Sequence, residues 1–97
     1  MNIVKAIKSE IIKKKLANGL FEVKQESTNR KYKAHYFLDE NSNFQGEYKS
    51  WWDDGRLREH SFYKDGRLQG EYKEWDNIGT LREHRLYKDG KIIEEYI

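Results

Sequence analysis

The chain repeats itself, and a repeat constrains a fold more than any single motif does. Residues 46–69 read GEYKSWWDDGRLREHSFYKDGRLQ and residues 70–93 read GEYKEWDNIGTLREHRLYKDGKII, identical at fourteen of 24 positions with no gap. A third copy opens at Glu94-Glu95-Tyr96 and stops, with Glu94 in the place of the glycine. Upstream the pattern decays. His35-Tyr36-Phe37 through Phe44-Gln45-Gly46 matches His60-Ser61-Phe62 through Leu68-Gln69-Gly70 once a residue is inserted near Ser42, and Glu22-Val23-Lys24 stands where Glu-Tyr-Lys would.

Turn signals keep the same beat: Asn18-Gly19, Asn29-Arg30, Asn41-Ser42, Asp54-Gly55, Asp65-Gly66, Ile78-Gly79 and Asp89-Gly90, spaced 11, 12, 13, 11, 13 and 11 residues apart. Short stretches rich in Tyr, Trp, Phe, Leu and Ile lie between them, with no proline anywhere. Asn-Gly and Asp-Gly tolerate positive φ and mark hairpins. Each 24-residue unit therefore supplies two strands and two turns. The expectation is all-β: a continuous antiparallel meander of about eight strands. Residues 1–10 form an N-terminal segment, of which 2–9 are left for a short helix. Residues 11–97 form the repeat domain, degenerate over 11–45, clear over 46–69 and 70–93, and partial over 94–97.

Composition fits a thin architecture. Thirty-six of 97 residues are charged, mean hydropathy is −1.12, and Leu, Ile, Val and Phe together number 21, too few for a thick core. Fourteen percent aromatic content stands against disorder. No apolar run of about 20 residues is present to span a membrane, and lysines and a glutamate interrupt the first twenty residues, unlike a signal peptide. With no cysteine, disulfides and thiolate chemistry are excluded. The expected setting is soluble and intracellular.

Hairpin register can be argued in part from the charges. A three-residue loop at Asp53-Asp54-Gly55 would pair Trp51 with Leu57, Lys49 with Glu59 and Tyr48 with His60. In the next copy it pairs Trp75 with Leu81, Lys73 with Glu83 and Glu74 with Arg82. A two-residue loop would oppose Glu74 to Glu83, which like charges disfavour. The 24-residue period then requires a bulge in the Asp65-Gly66 crossing, since otherwise alternate repeats would turn over.

The half-repeat GEYKxW and the GxLREHxxYKDG after it resemble the MORN repeat (membrane occupation and recognition nexus), in the variant found in bacterial antitoxin-like proteins and in tandem arrays of large DNA viruses. Gly46, Tyr48, Trp51, Gly55, Leu57, Tyr63, Lys64, Asp65 and Gly66 carry the pattern, as do Gly70, Tyr72, Trp75, Gly79, Leu81, Tyr87, Lys88, Asp89 and Gly90. Asp76, Ile78 and Glu94 depart from it. The resemblance covers residues 46–93 well, 20–45 weakly and 1–10 not at all. It implies an elongated, single-layer antiparallel meander of stacked β-hairpins that serves as a scaffold or interaction surface.

Residue patterns point away from chemistry. His35, His60 and His84 recur at one repeat position, but equivalent strands lie roughly 9–10 Å apart, too far for one metal. Glu59 and His60 are strand neighbours on opposite faces, as are His60 and Ser61. The chain is therefore expected to be non-enzymatic, without cofactor or metal, and to bind protein, with Tyr48, Trp51, Trp52, Tyr72 and Trp75 as anchors because Trp and Tyr dominate interface hot spots. Residues 1–33 carry +6 and residues 34–97 carry −4. The basic third keeps anionic lipid and nucleic acid as the alternatives: nucleic acid is disfavoured because most aromatics lie in the acidic part, and lipid because it requires residues 2–16 to form one basic amphipathic helix, against the Asn18-Gly19 hairpin; a toxin partner is a further alternative. Weak self-association or none is also expected, with the C-terminal edge strand as the contact.

Overall fold

A computed structural model of the chain describes residues 9–27 and 32–97. These residues form one antiparallel sheet of nine strands: β1 (Ser9–Lys15), β2 (Phe21–Ser27), β3 (Tyr32–Leu38), β4 (Gly46–Trp52), β5 (Leu57–Lys64), β6 (Arg67–Leu68), β7 (Gly70–Trp75), β8 (Leu81–Lys88) and β9 (Lys91–Glu95). Strand order is chain order, with the two-residue β6 pairing β5 just before β7 takes over, so the sheet has eight strand positions. The expected meander is there. The expected helix over 2–9 falls on residues 1–8, outside the described residues, and on Ser9, which opens β1. The molecule is a slab of 52 × 37 × 18 Å. Its radius of gyration of 15.2 Å exceeds the roughly 12–13 Å of a compact domain this long, as a single layer must.

Two kinds of turn recur. At Asp53-Asp54-Gly55 the Trp52 amide donates to the Arg56 carbonyl (2.8 Å) and the Gly55 amide to the Trp52 carbonyl (3.0 Å), closing a three-residue loop. Leu16–Leu20 and Asp76–Thr80 repeat this pattern. Asp65-Gly66 and Asp89-Gly90 close two-residue loops with both residues at positive φ (52° and 82° in each), the twist-matched hairpin turn.

The register agrees with expectation beside the turn and departs beyond it. Trp51 pairs Leu57 and Trp75 pairs Leu81, but Lys49 pairs His60, not Glu59, and Tyr48 pairs Ser61, not His60. Likewise Lys73 pairs His84, not Glu83, and Glu74 faces Glu83, not Arg82. One extra residue, Arg58 or Arg82, is bulged out just after the loop. The one-residue bulge thus sits in this crossing, while the Asp65-Gly66 crossing, where a bulge was expected, keeps a two-residue loop and carries an irregularity of two residues instead. Magnitudes explain the outcome: a like-charge pair costs up to about 1 kcal/mol, whereas a one-residue slip turns every side chain of a strand to the other face.

A second irregularity depends on glycine. From Tyr63 to His60 is three residues on β5, yet their partners Leu68 and Lys73 are five apart, so two extra residues are absorbed at Gly70, whose φ is 108°. An even number leaves the faces unchanged. Between β8 and β9, Tyr87 and Arg85 are two apart and their partners Ile92 and Glu95 three, so one extra residue is absorbed. Glu94 occupies the glycine position there, and a side chain resists positive φ. The odd count inverts the end of the chain: Tyr96 lies over His84, rings 4.4 Å apart, away from the face that holds Tyr48 and Tyr72.

Candidate protein-interaction surface

Alternation along each strand gives the sheet two unlike faces. The tyrosine face carries Tyr36, Tyr48, Tyr63, Tyr72 and Tyr87, and it holds the buried residues Val23, Ala34, Ser50 and Ser61. Those small side chains leave room for large rings to lie across the sheet. Tyr36 stacks on Tyr48 at 5.6 Å, and Phe44 meets Tyr36, Tyr48 and Tyr63 at 4.9 to 5.7 Å. Burial pushes the Tyr48 hydroxyl up to about 12 and raises that of Tyr72, with Glu59 nearby adding to both. This face stands in for a core.

Across the same face runs a row of carboxylates. Glu59 lies opposite Glu74, and Glu74 opposite Glu83. Each takes one donor from its own strand: Ser61 Oγ donates to Glu59 (3.0 Å), Tyr72 Oη to Glu74 (3.2 Å), and Arg85 reaches Glu83 (3.0 Å). Burial first, and the neighbouring Glu74 charge after it, raise the Glu59 carboxyl above its ordinary value despite the Ser61 hydrogen bond.

The histidine face is built from the other alternation. His35, His60 and His84 recur there, each bonded to a glutamate thirteen residues earlier: Glu22 and Glu47 at 2.8 Å, and Glu71 at 3.3 Å. A carboxylate only accepts, so the imidazole donates from Nε2. That hydrogen bond is the main reason the Glu22 and Glu47 carboxyls lie below their usual range. Glu59, adjacent to His60 in the chain, lies on the other face, as alternation requires. The true partner is the Glu of Gly-Glu-Tyr-Lys, diagonal across the hairpin, and the constant separation of thirteen was the available signal. Ser61 lies on the opposite face from His60, so serine, histidine and acid do not converge. Among the described residues no three His, Asp or Glu side chains are placed to hold one metal ion.

The five expected anchors do not form one patch. Tyr48, Trp52 and Tyr72 fall on the tyrosine face, while Trp51 and Trp75 fall on the histidine face. All five are half-buried. Trp52 is held in place: its Nε1 donates to the Trp75 carbonyl (3.3 Å) and the Arg58 guanidinium lies 5.2 Å from its ring.

Trp51 is placed differently. It forms one rim of a cleft of about 430 Å³ on the histidine face, with Ile12 of β1 on the other rim. Glu22, Lys24, Glu26, Lys33 and His35 line the rest. Glu22 is bound by His35 and Glu26 by Lys33 (3.6 Å). Lys14 and Lys24 lie beside Glu22 and help to hold its carboxyl ionised. The cleft therefore offers two apolar rims over a floor whose acids are each paired and whose surroundings are basic.

No protein-family model, curated protein or solved structure matches the chain, so the likeness to the MORN repeat rests on the repeated residues themselves.

Proposed function

We propose that the chain is a non-enzymatic, MORN-like repeat scaffold that works by binding protein, and that its partner seats an acidic segment bearing one apolar side chain in the cleft between Ile12 and Trp51. The observation that carries this reading is the cleft itself: a half-exposed Trp facing an exposed Ile, set in the basic quarter of the sheet. Trp is the residue type most enriched in binding hot spots. The lysines at 13, 14, 15, 24 and 33 outnumber the glutamates at 10, 22 and 26, which supports an acidic partner through complementarity. The antitoxin-like reading is the special case in which that partner is a toxin.

The test is differential capture from nuclease-treated lysate. A protein partner held by the wild type and by Trp52→Ala, but lost from Trp51→Ala and from Lys24→Glu, supports the reading. Equal capture by all four proteins overturns it. So does retention of nucleic acid or anionic vesicles with no protein.

A further inference from the structure

Among the described residues nothing pairs with the outer side of β1 or of β9. Large exposed apolar side chains concentrate on these two ends: Ile11 (59%) and Ile12 (64%) on β1, and Ile92, Ile93 (57%), Tyr96 and Ile97 (60%) along β9 and the residues after it. The ends differ in charge. Lys13, Lys14 and Lys15 come directly after the isoleucines of β1, and Glu94 and Glu95 directly after those of β9.

We infer that β9 of one copy adds to β1 of a second copy, antiparallel and head to tail, with Glu94 opposite Lys14, Glu95 opposite Lys13, Tyr96 opposite Ile12 and Ile97 opposite Ile11. Three independent conditions select this register. The first is direction. Eight alternating positions leave β9 antiparallel to β1, so a second copy in the same orientation continues the meander. The second is backbone geometry. The Leu16 amide donates inward to Leu20, and the Tyr96 amide inward to His84. Residues of an antiparallel strand alternate between inward and outward bonding, so Ile11 and Lys13 on β1, and Glu95 and Ile97 at the other end, turn their backbone groups outward. In the inferred register these outward residues meet one another.

The third condition is side-chain matching. Ile12 and Lys14 share the histidine face with Glu94 and Tyr96, and Ile11 and Lys13 share the tyrosine face with Glu95. Both faces therefore run on unbroken, with two opposite-charge pairs and two apolar pairs. A shift by two residues one way sets Glu94 and Glu95 against Ile12 and Ile11. The other way it sets Ile97 against Lys13 and Glu94 against Leu16. A two-fold contact of β9 with itself would bring the glutamates together. A head-to-tail contact does not close on itself unless the rotation between copies happens to close a ring, so the products form a concentration-dependent series and not a single dimer.

Sedimentation velocity in low salt tests this with Lys14→Glu, Glu94→Lys and the double variant K14E/E94K. Turning one opposite-charge pair into a like-charge pair weakens association about tenfold. Each single variant is expected to sediment as monomer where the wild type associates, and the charge-swapped double variant to associate again. Circular dichroism confirms that all remain folded. Trp51→Ala, which would disable the cleft, is expected to leave association unchanged, so failure of one proposal is separable from failure of the other. The inference is overturned by a wild type that stays monomeric at high concentration in low salt, by single variants that associate like the wild type, by a double variant that stays monomeric, or by a species limited to a dimer.

Discussion

Glu74 sits between two carboxylates, and its removal measures what the sheet sacrifices to keep its faces in order. Glu59 lies opposite it on one side and Glu83 on the other. Like charges directly opposite cost a few tenths to about 1 kcal/mol per pair. Glu74→Gln removes both repulsions, while the new amide oxygen still accepts from Tyr72 Oη, which now lies 3.2 Å from Glu74. The expected gain is about 1 kcal/mol at pH 7, or roughly 4–8 °C in Tm for a domain this size. The pH dependence identifies the cause. Burial, with Glu74 as a further contribution, raises the folded-state value of Glu59 above its unfolded value near 4.5. Between those two values the native state binds the extra proton, so stability falls as pH rises through that window. Below it Glu59 is protonated in both states and its repulsion of Glu74 is absent. Thermal unfolding of both proteins at pH 7 and pH 3.5 in low salt is the assay. No gain at pH 7, or an equal gain at pH 3.5, refutes the reasoning, the latter by assigning the gain to packing.

Two further substitutions test the layer beneath the tyrosines and the lost glycine. Ser50 Oγ is buried with no hydrogen-bond partner, whereas Ser61 Oγ donates to Glu59. Ser50→Ala is therefore expected to be neutral or stabilising and Ser61→Ala to cost about 1 kcal/mol, a contrast that chemical denaturation reads directly. Glu94→Gly restores the residue that takes positive φ at Gly70, so β9 should absorb two extra residues and Tyr96 should move to the tyrosine face. In nuclear magnetic resonance spectra the contacts between the His84 and Tyr96 rings should then disappear, and their persistence would show that glycine does not set the register.

The fold is legible in the chain because the repeat states it twice. The spacing of Asp-Gly and Asn-Gly locates the strands, and it locates the three-residue loop beside Trp51 and Trp75. The register beyond that loop is not legible from a single pair such as Glu74 against Glu83. That pair is one local term, whereas the faces of a strand are set by all its residues together, and a bulge at Arg58 or Arg82 satisfies them at small cost. The division of the anchors between two faces is within reach, since Tyr48 and Trp51 lie three residues apart on one strand, as do Tyr72 and Trp75, and alternation puts such residues on opposite faces. The cleft is out of reach, because Ile12 and Trp51 lie 39 residues apart in the sequence and meet across three strand spacings. The pairing of His60 with Glu47 is within reach, since their separation recurs in every repeat.

The two irregularities together explain how a single layer can be apolar where it must be and open where it ends. A bulge of one residue in one crossing and an insertion of two in the next return each repeat to the same face after 24 residues. Tyrosines therefore accumulate on one side over Ala34, Ser50 and Ser61. The stack needs no second sheet, but each strand is then held only by its neighbours, as in other repeat arrays. Among the described residues β9 has one neighbour, and Glu94 breaks the count there. Had the period continued, Tyr96 would join Tyr48 and Tyr72 on the packed side. Instead it covers His84 on the solvated side and leaves Glu95 and Ile97 facing outward at the edge. The departure from the repeat at one glycine thus sets both where the tyrosine layer stops and what chemistry the open edge presents.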